Sequence, residues 1–238
     1  MMLKLVFLHE LKNIIRDKMY AFFLVYPVII SVVSYFLIPY LYDLNPLASD
    51  ITFLGLLLMN SFIFGVVTSF TLLDDQDDNV LLSLKITPIS VKLFVLFKLL
   101  MSYIFGIVST LLMLLSVDYF AQTNLIDLLF ILILAPMQGP ILAMLIASIS
   151  RNKVEGFVIM KLSGLILMVP IAALFLTDWK ELLISIFPGF WTARLFSMQF
   201  MPLNYFLKES YIYFILGIIV NLLLFLLFFK IYTKKKEI

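Results

Sequence analysis

The sequence predicts an all-α membrane protein with six transmembrane helices, and residues 1–238 read as a single transmembrane domain. Hydrophobic residues make up 63% of the chain, charged residues make up 13%, and the mean hydropathy is +1.12. A soluble domain is about half apolar and about a quarter charged, so this composition indicates a lipid environment. The apolar residues also form long runs. If successive runs cross the membrane in alternate directions, most basic residues lie on the same side of it.

Six apolar segments are each long enough to cross a bilayer. About 20 apolar residues in a helix span the ~30 Å hydrocarbon core. Helices are expected because lipid offers no hydrogen-bond partner to an unpaired backbone, and the segments lack the alternation of barrel strands. The predicted spans one to six, together residues 20–232, are 20–42, 51–73, 93–117, 125–149, 156–176 and 211–232.

The distribution of Lys and Arg predicts the orientation. All lysines and arginines except Lys180, Arg194 and Lys208 lie on the side that carries both termini. Cytoplasmic loops are enriched in Lys and Arg, so both termini are predicted to be cytoplasmic. Residues 233–238 would then form a short cytoplasmic tail.

Residues 1–18 are predicted to form an amphipathic helix in the cytoplasmic interface. Polar and charged residues fill the face opposite the apolar one, which is the pattern of a helix that lies in the membrane plane. A polar lead-in to span one is the alternative. The apolar face consists of Leu3, Val6, Phe7, Leu11, Ile14 and Ile15.

The loop between spans two and three predicts a short docking helix. Its four aspartates must end span two, because charged groups are costly in lipid. Asp77, Asp78 or Asn79 can cap the helix that follows, and Pro88 would end it. A solvated turn, which is the alternative, would not need an apolar side. That side consists of Val80, Leu81, Leu84 and Ile86.

Span four contains Pro136, Gly139 and Pro140 near its centre, with Gln138 among them. Proline removes a helical hydrogen bond and clashes with the preceding turn, which predicts a kink or break. Such a feature is tolerated where it faces protein or water. A functional role and a simple packing kink both fit these residues.

Polar residues inside the spans are the other functional candidates, because they are costly in lipid. Asn60, Gln138 and Asn221 lie near the centres of spans two, four and six. Hydrogen bonds between helices, worth roughly 0.6 kcal/mol each, explain such residues as well as a substrate contact does.

The outer segment 177–210 is rich in aromatic residues, including Trp179 and Trp191. Aromatic side chains anchor short helices at headgroup depth. The stretches ELLISIF and ARLFSMQF are too short to span the bilayer. They predict short interfacial or re-entrant helices rather than a floppy loop.

The sequence offers little chemistry for catalysis. It has no GxxxxGK[ST] loop for phosphate binding, no cysteine, and one histidine, His9. Asp127 is the single carboxylate within the predicted spans. We therefore expect no enzymatic activity, no metal site and no bound cofactor in this chain. The basic residues have no nucleic-acid pattern, so lipid and not nucleic acid is the expected environment.

Three stretches together resemble the permease subunits of bacterial ABC transporters of type 2, over the whole chain. LLDDQDDNVLLSLKITPISVKLFVLFKLL resembles the family's coupling region, although the family often has Glu and Gly where this chain has Asp and Asn. NKVEGFVIMKLSGLILMVPIAALF resembles the family's loop and fifth span. FPGFWTARLF is similar to its Pro-aromatic-Trp segment at the outer face.

The resemblance implies the permease subunit of an ATP-driven exporter in the bacterial plasma membrane. Two separate ATP-binding subunits, which hold ATP and Mg²⁺, would dock on a cytoplasmic coupling helix between spans two and three. A second permease, identical or homologous, would complete the pathway. The implied coupling residues are Asp77, Asp78, Val80, Leu81, Leu84, Ile86, Thr87 and Pro88.

By the same resemblance, the pathway runs between spans two and five of the two permeases, and the outer helices gate it. Phe and Met side chains adapt to varied shapes, which favours hydrophobic drugs or amphipathic and antimicrobial peptides as cargo. The pathway candidates are Asn60, Phe64, Thr68, Ser163 and Met168, with Gln138 and Asn221 as further polar positions. The gate candidates are Phe187, Pro188, Phe190 and Trp191.

Two other classes of function compete with this interpretation. A self-contained secondary transporter or channel would need intramembrane charges to bind a coupling ion. A membrane adaptor or immunity protein would use the docking segment only as a binding surface. The cargo, the direction of transport and the identity of the second permease stay open.

Overall fold

The computed structural model describes residues 18–86, 90–117, 123–201 and 203–236, and these residues form helices and no strand. A 3₁₀ helix spans Val169–Phe175. The α-helices are α1 Lys18–Leu44, α2 Pro46–Asp77, α3 Val80–Leu84, α4 Val91–Ser116, α5 Leu125–Ile149, α6 Lys153–Met168, α7 Glu181–Ile184, α8 Phe190–Phe200 and α9 Ser210–Lys235.

The six predicted spans are confirmed as helices long and apolar enough to cross a membrane. They are α1, α2, α4, α5, α6 with its 3₁₀ extension, and α9. The chain is thus built as a multi-pass membrane protein. The predicted amphipathic helix 1–18 lies outside the described residues, apart from Lys18, which begins α1.

Several helix boundaries differ from the sequence prediction, and the largest difference is at the start of α2, which begins at Pro46 instead of residue 51. α2 continues past Leu73 to Asp77, and α9 continues past Tyr232 to Lys235, so part of the predicted tail is helical. Charged residues end the apolar run but leave the backbone hydrogen bonds intact. A helix therefore extends beyond the residues that lipid requires.

α5 lies at the centre of the bundle and packs against α2, α4 and α9. It is one continuous helix through Pro136 and Pro140, so the predicted break is absent. A Cβ atom on Gly65 of α2 would lie 2.6 Å from the Gly139 carbonyl oxygen, and one on Gly106 of α4 would lie 3.0 Å from the Pro136 Cβ. Small residues permit this close approach of helices, which supports the packing role for this part of span four.

Asparagine side chains cap three of the spans, α2, α5 and α6, the last through Asn152. Asn45 accepts from the Leu47 and Ala48 amides before α2, and Asn124 accepts from Ile126 before α5. Asn79 is the N-cap residue of α3, but its side chain makes no capping hydrogen bond. Its left-handed backbone, with φ of 59°, turns the chain from α2 into α3, a conformation that asparagine tolerates.

The bundle has two ends that carry different short helices. The α3 end comprises the last turns of α2, α5 and α9 and the first turns of α4 and α6. The α7 end comprises the opposite turns of these helices, together with α7 and α8. The largest apolar core cluster lies toward the α7 end and includes Phe53, Leu57, Ile131, Phe190 and Phe196.

Candidate functional site

The short helix α3 is held to the bundle by one side and leaves the other side free. Leu81 is buried against Val91 and Phe94 of α4, and Leu84 packs partly on the same cluster. Leu82 is 59% exposed and Ile86 is 90% exposed. Of the apolar side predicted from the sequence, Leu81 and Leu84 pack on α4 and Ile86 is free, while Leu82, which was not part of that prediction, is free as well.

The remaining coupling candidates surround this free surface. Asp77 and Asp78 are exposed and Val80 is half-buried. Asp78 ends α2 as its C-cap residue rather than capping α3. Thr87 and Pro88 lie outside the described residues.

The acidic end of α2 connects α4 and the start of α6. Asp75 pairs with Lys98 of α4, whose side chain is only 4% exposed. Asp74 pairs with Lys153 at 2.8 Å, and the Lys153 amide donates to Asp77 Oδ2 at 3.3 Å. A buried charge needs such a partner, since desolvation is costly. A displacement of α2 at this end therefore acts on α4 and α6 through charged contacts.

α9 reaches the same end and closes the C-terminus of α5. The Lys235 ammonium donates to the carbonyl oxygens of Ser148, Ile149 and Ser150 at 2.9, 2.7 and 3.0 Å. These carbonyls end α5 and carry its negative dipole charge, which a cation stabilises. Burial lowers the pKa of the neighbouring Lys236, and the charge of Lys235 lowers it further.

At the α7 end, the connection between α7 and α8 reaches the middle of α5. Gly189, with φ of 93°, lies at its tip, and a Cβ there would be 2.9 Å from Gln138 Nε2. Only glycine adopts this backbone freely and leaves room for the carboxamide. Trp191 packs closely on Gly217 of α9, where a Cβ would lie 2.8 Å from the Trp191 Cβ. The tip thus touches the centre of the bundle.

The gate candidates form this tip. Pro188, Phe190 and Trp191 are buried and Phe187 is half-buried. The Phe190 and Trp191 rings meet edge to face at 5.1 Å. Their packing against span helices makes the segment an ordered part of the bundle, as its aromatic content predicted.

A buried ion pair, not anticipated from the sequence, fastens this segment. Arg194 Nη2 lies 2.6 Å from Glu181 Oε2, and both side chains are fully buried. Tyr213 of α9 donates to Glu181 Oε1 at 2.5 Å, and Arg194 also donates to the Leu176 carbonyl oxygen. The aromatic ring of Tyr205 lies 4.9 Å from the guanidinium, a favourable cation–π distance. We call Glu181, Arg194, Tyr205 and Tyr213 the Arg194 cluster.

The Arg194 cluster joins α7, α8, α9 and the loop between α8 and α9, and Arg194 also bonds to the end of the 3₁₀ helix. Burial raises the pKa of Glu181, while the Tyr213 hydrogen bond and the Arg194 charge oppose this increase. From the sequence, Arg194 is simply one of three basic residues on the outer side. The available signal was its position in the apolar stretch TARLF, where an unpaired charge would be costly.

The polar pathway candidates are buried, and two of them lack the hydrogen bonds that a packing role predicts. Asn60 and Gln138 are fully buried, and no carboxamide atom of either has a hydrogen-bond partner in the described part of the chain. The side-chain oxygen of Asn221 is also buried without a hydrogen-bond partner among the described residues. Interhelical hydrogen bonding therefore does not account for these carboxamides, and such orphaned groups are costly.

The other pathway candidates are not brought together. Phe64 stacks on Phe105 of α4 at 6.0 Å, whereas the α2 face toward α6 carries Phe70, which lies 4.5 Å from Phe157. Thr68 is buried, Ser163 donates to the Ile159 carbonyl of its own helix at 2.8 Å, and Met168 is exposed. One chain alone does not form a continuous lined pathway from these residues.

Comparison with known proteins places the chain among transport proteins. A family model described as "Fluoroquinolones export permease protein Rv2686c-like" matches residues 10–229. No curated protein and no solved structure matches the chain.

Proposed function

Because the chain belongs to the Rv2686c-like family of fluoroquinolone export permeases, we propose that it is the membrane subunit of an ATP-driven ABC-2 type exporter of hydrophobic or amphipathic compounds. The observation that carries the proposal is the match to an export-permease family in a chain with six candidate membrane-spanning helices. The chain has no phosphate-binding loop of its own, so ATP and Mg²⁺ would be bound by partner subunits. The family name favours drugs over peptides as cargo.

The free side of α3 is the proposed docking surface for the ATP-binding subunits. Leu82 and Ile86 are exposed apolar side chains at the α3 end, and exposed apolar patches are typical of a protein interface. Asp77 and Asp78 flank them as exposed acids. Leu81 has a different role, because its contact with α4 holds α3 in position.

Movement of α3 would reach the spans through the contacts at the α3 end. Leu81 connects α3 to α4, and the Asp75–Lys98 pair connects α2 to α4. The Asp74–Lys153 pair extends the connection to α6. ATP-driven closure of the partner subunits would thus move three spans together.

A second permease, identical or homologous, would complete the pathway against α6. This helix presents an exposed apolar stripe at three- and four-residue spacing, which is the pattern of one helix face. The stripe lies on the side of α6 opposite Gly156, which packs on Phe70 and Leu73 of α2, so it is free to contact a second permease. The residues of the stripe are Val154, Val158, Leu162, Leu165 and Met168.

The proposed location is the bacterial plasma membrane with both termini in the cytoplasm. The excess of Lys and Arg at the α3 end supports this orientation. α3 would then face the cytoplasm, where ATP-binding subunits are found, and α7 and α8 would form re-entrant helices on the outer side. The aromatic tip at Gly189 and Trp191 would close the outer end of the pathway.

The test is recovery of an ATP-binding partner. The full chain is purified from its native host in mild detergent, and bound proteins with a Walker loop are identified by mass spectrometry. We expect such a partner, and at least a tenfold loss of it in the double variant Leu82→Asp/Ile86→Asp. The matched control is Leu183→Asp, a similarly exposed leucine on α7. Equal recovery from both variants, or no ATP-binding protein at all, would contradict the proposal.

One observation favours a second candidate, an ion-coupled transporter. Lys98 lies in predicted span three with a side chain only 4% exposed and pairs with Asp75 just beyond span two, and secondary transporters use charged groups within spans to bind coupling ions. In this case, liposomes that contain only this chain would transport substrate along an ion gradient without nucleotide. The ATP-driven exporter predicts no such flux.

A further inference from the structure

A groove between α4, α5 and α9 is set apart from the proposed pathway along α2 and α6. Its volume is about 440 Å³, within the range of sites that bind drug-sized molecules. Leu96, Leu100 and Leu222 line it and are each more than one-third exposed, so the groove opens sideways between the helices. In a bilayer, this opening faces the lipid.

The wall of the groove combines flat rings with adaptable side chains. Tyr103 and Phe225 provide the rings, and Met137 provides a flexible thioether. Rings favour stacked or edge-to-face contacts with other aromatic groups. Methionine fits irregular shapes and contacts rings favourably. This wall is suited to an aromatic guest.

Two polar groups of the groove have unused hydrogen-bonding capacity. Asn221 lines the groove and is 1% exposed, and its Oδ1 has no hydrogen-bond partner within the described ranges. Tyr103 donates its proton to the Ile133 carbonyl oxygen at 3.2 Å, which leaves the phenol oxygen able to accept. A guest with a hydrogen-bonding group would satisfy them.

We propose that this groove is a loading site for membrane-dissolved aromatic amphiphiles, meaning molecules with flat rings and at least one hydrogen-bond donor. The proposal rests on the exporter function and names its substrate class and point of entry. A lipid acyl chain would fill the volume but would leave Asn221 unsatisfied, and a buried polar group without a partner is costly. The groove therefore favours an amphiphile over an acyl chain.

The test is photo-crosslinking with 4-aminobenzophenone, a small aromatic ketone with an amine donor. The full chain is placed in phosphatidylglycerol–phosphatidylcholine nanodiscs without any partner subunit and irradiated over a range of probe concentrations. Mass spectrometry then locates the adducts. We expect a saturable set of adducts on α5 and α9 around Met137 and Leu222.

Matched variants separate the groove from the general lipid-facing surface. Leu222→Trp fills the groove and should reduce the saturable adducts about tenfold. Leu223→Trp, the 61% exposed neighbour that does not line the groove, should leave them unchanged. Leu100→Trp, with Leu93→Trp as its control, repeats the comparison on α4. Asn221→Leu should raise the half-saturating concentration about fivefold, as expected for one lost hydrogen bond.

The opposite results would overturn the proposal. Non-saturable labelling spread over the exposed faces would mean that lipid fills the groove, and equal effects of Leu222→Trp and Leu223→Trp would exclude a defined site. The assay contains no ATP-binding subunit, so its failure leaves the docking experiment on α3 unaffected. Conversely, groove-dependent labelling without a recoverable ATPase would refute the ATP-driven mechanism and retain the site.

Discussion

Arg194 and Glu181 form a fully buried ion pair in a segment that the sequence presents as an aromatic outer loop. Two charges removed from water are costly unless the pair is close and its remaining groups are hydrogen-bonded. Here Tyr213, the Leu176 carbonyl and Ser197 provide additional bonds, while Arg194 Nε has no partner among the described residues. The pair therefore selects one arrangement of α7, α8 and α9, since any other arrangement would leave a charge unpaired.

Substitution of Arg194 tests this role. Arg194→Ala leaves Glu181 buried without its cation, and we expect the free energy of unfolding to fall by about 3–5 kcal/mol. The measurement is thermal or denaturant unfolding of the purified chain in detergent. Lys180→Ala is the control, because Lys180 pairs with Asp178 at 3.4 Å on the surface and such pairs contribute less than about 1 kcal/mol.

A second variant separates charge from packing. The double substitution Glu181→Leu/Arg194→Met removes both charges and keeps apolar volume, so we expect recovery of at least half of the lost stability. A loss from Arg194→Ala no larger than that from Lys180→Ala would show that the ion pair does not hold the segment.

Helix ends determine how these elements are joined. α5 contains two prolines and packs through Gly139 against α2. Its position therefore depends on packing contacts and hydrogen bonds from neighbouring helices. At its C-terminus the last carbonyl groups have no donor within the helix. The Lys235 ammonium occupies that position and connects α9 to α5 across the α3 end.

Removal of this ammonium should loosen the end of α5. For Lys235→Met we expect a loss of about 1 kcal/mol and faster hydrogen–deuterium exchange in the peptide that covers residues 146–153. Lys234→Met is the control, because Lys234 is an exposed lysine of the same helical turn. Equal exchange in the two variants would exclude a capping role for Lys235.

The molecule as a whole places its two kinds of short helix at opposite ends of a membrane-spanning bundle. α3 leaves an apolar surface free at one end, while α7 and α8 are packed into the other. An exporter driven from one side of the membrane needs this asymmetry, because the site of ATP-driven force and the exit must lie on different sides. The proposed function therefore depends on the orientation of the bundle.

Single-cysteine labelling tests this orientation, and the natural chain has no cysteine to interfere. We expect Ser83→Cys on the exposed side of α3 to react with a membrane-impermeant maleimide only after the cells are permeabilised. Leu183→Cys on α7, also exposed, should react in intact cells. The reverse pattern would place α3 outside and refute docking of cytoplasmic ATP-binding subunits.

The sequence by itself determined the six spans and the sites of the short helices. Span length and backbone hydrogen bonding in lipid are local properties, so they can be read from the chain in order. The aspartates did not stop α2, and the largest boundary shifts are at Pro46, Asp77 and Lys235, where turns outside the apolar run continue a helix.

Only the tertiary structure decided which residues meet. Asp75 pairs with Lys98, 23 residues away, and Glu181 bonds to Tyr213, 32 residues away. The free surface at α3 consists of Leu82, which the sequence did not predict there, and Ile86, two residues beyond the helix, whereas the predicted Leu81 is buried. A helix that is apolar on all sides gives no periodic signal for its rotation. Its partners therefore follow from packing in three dimensions and not from the order of residues.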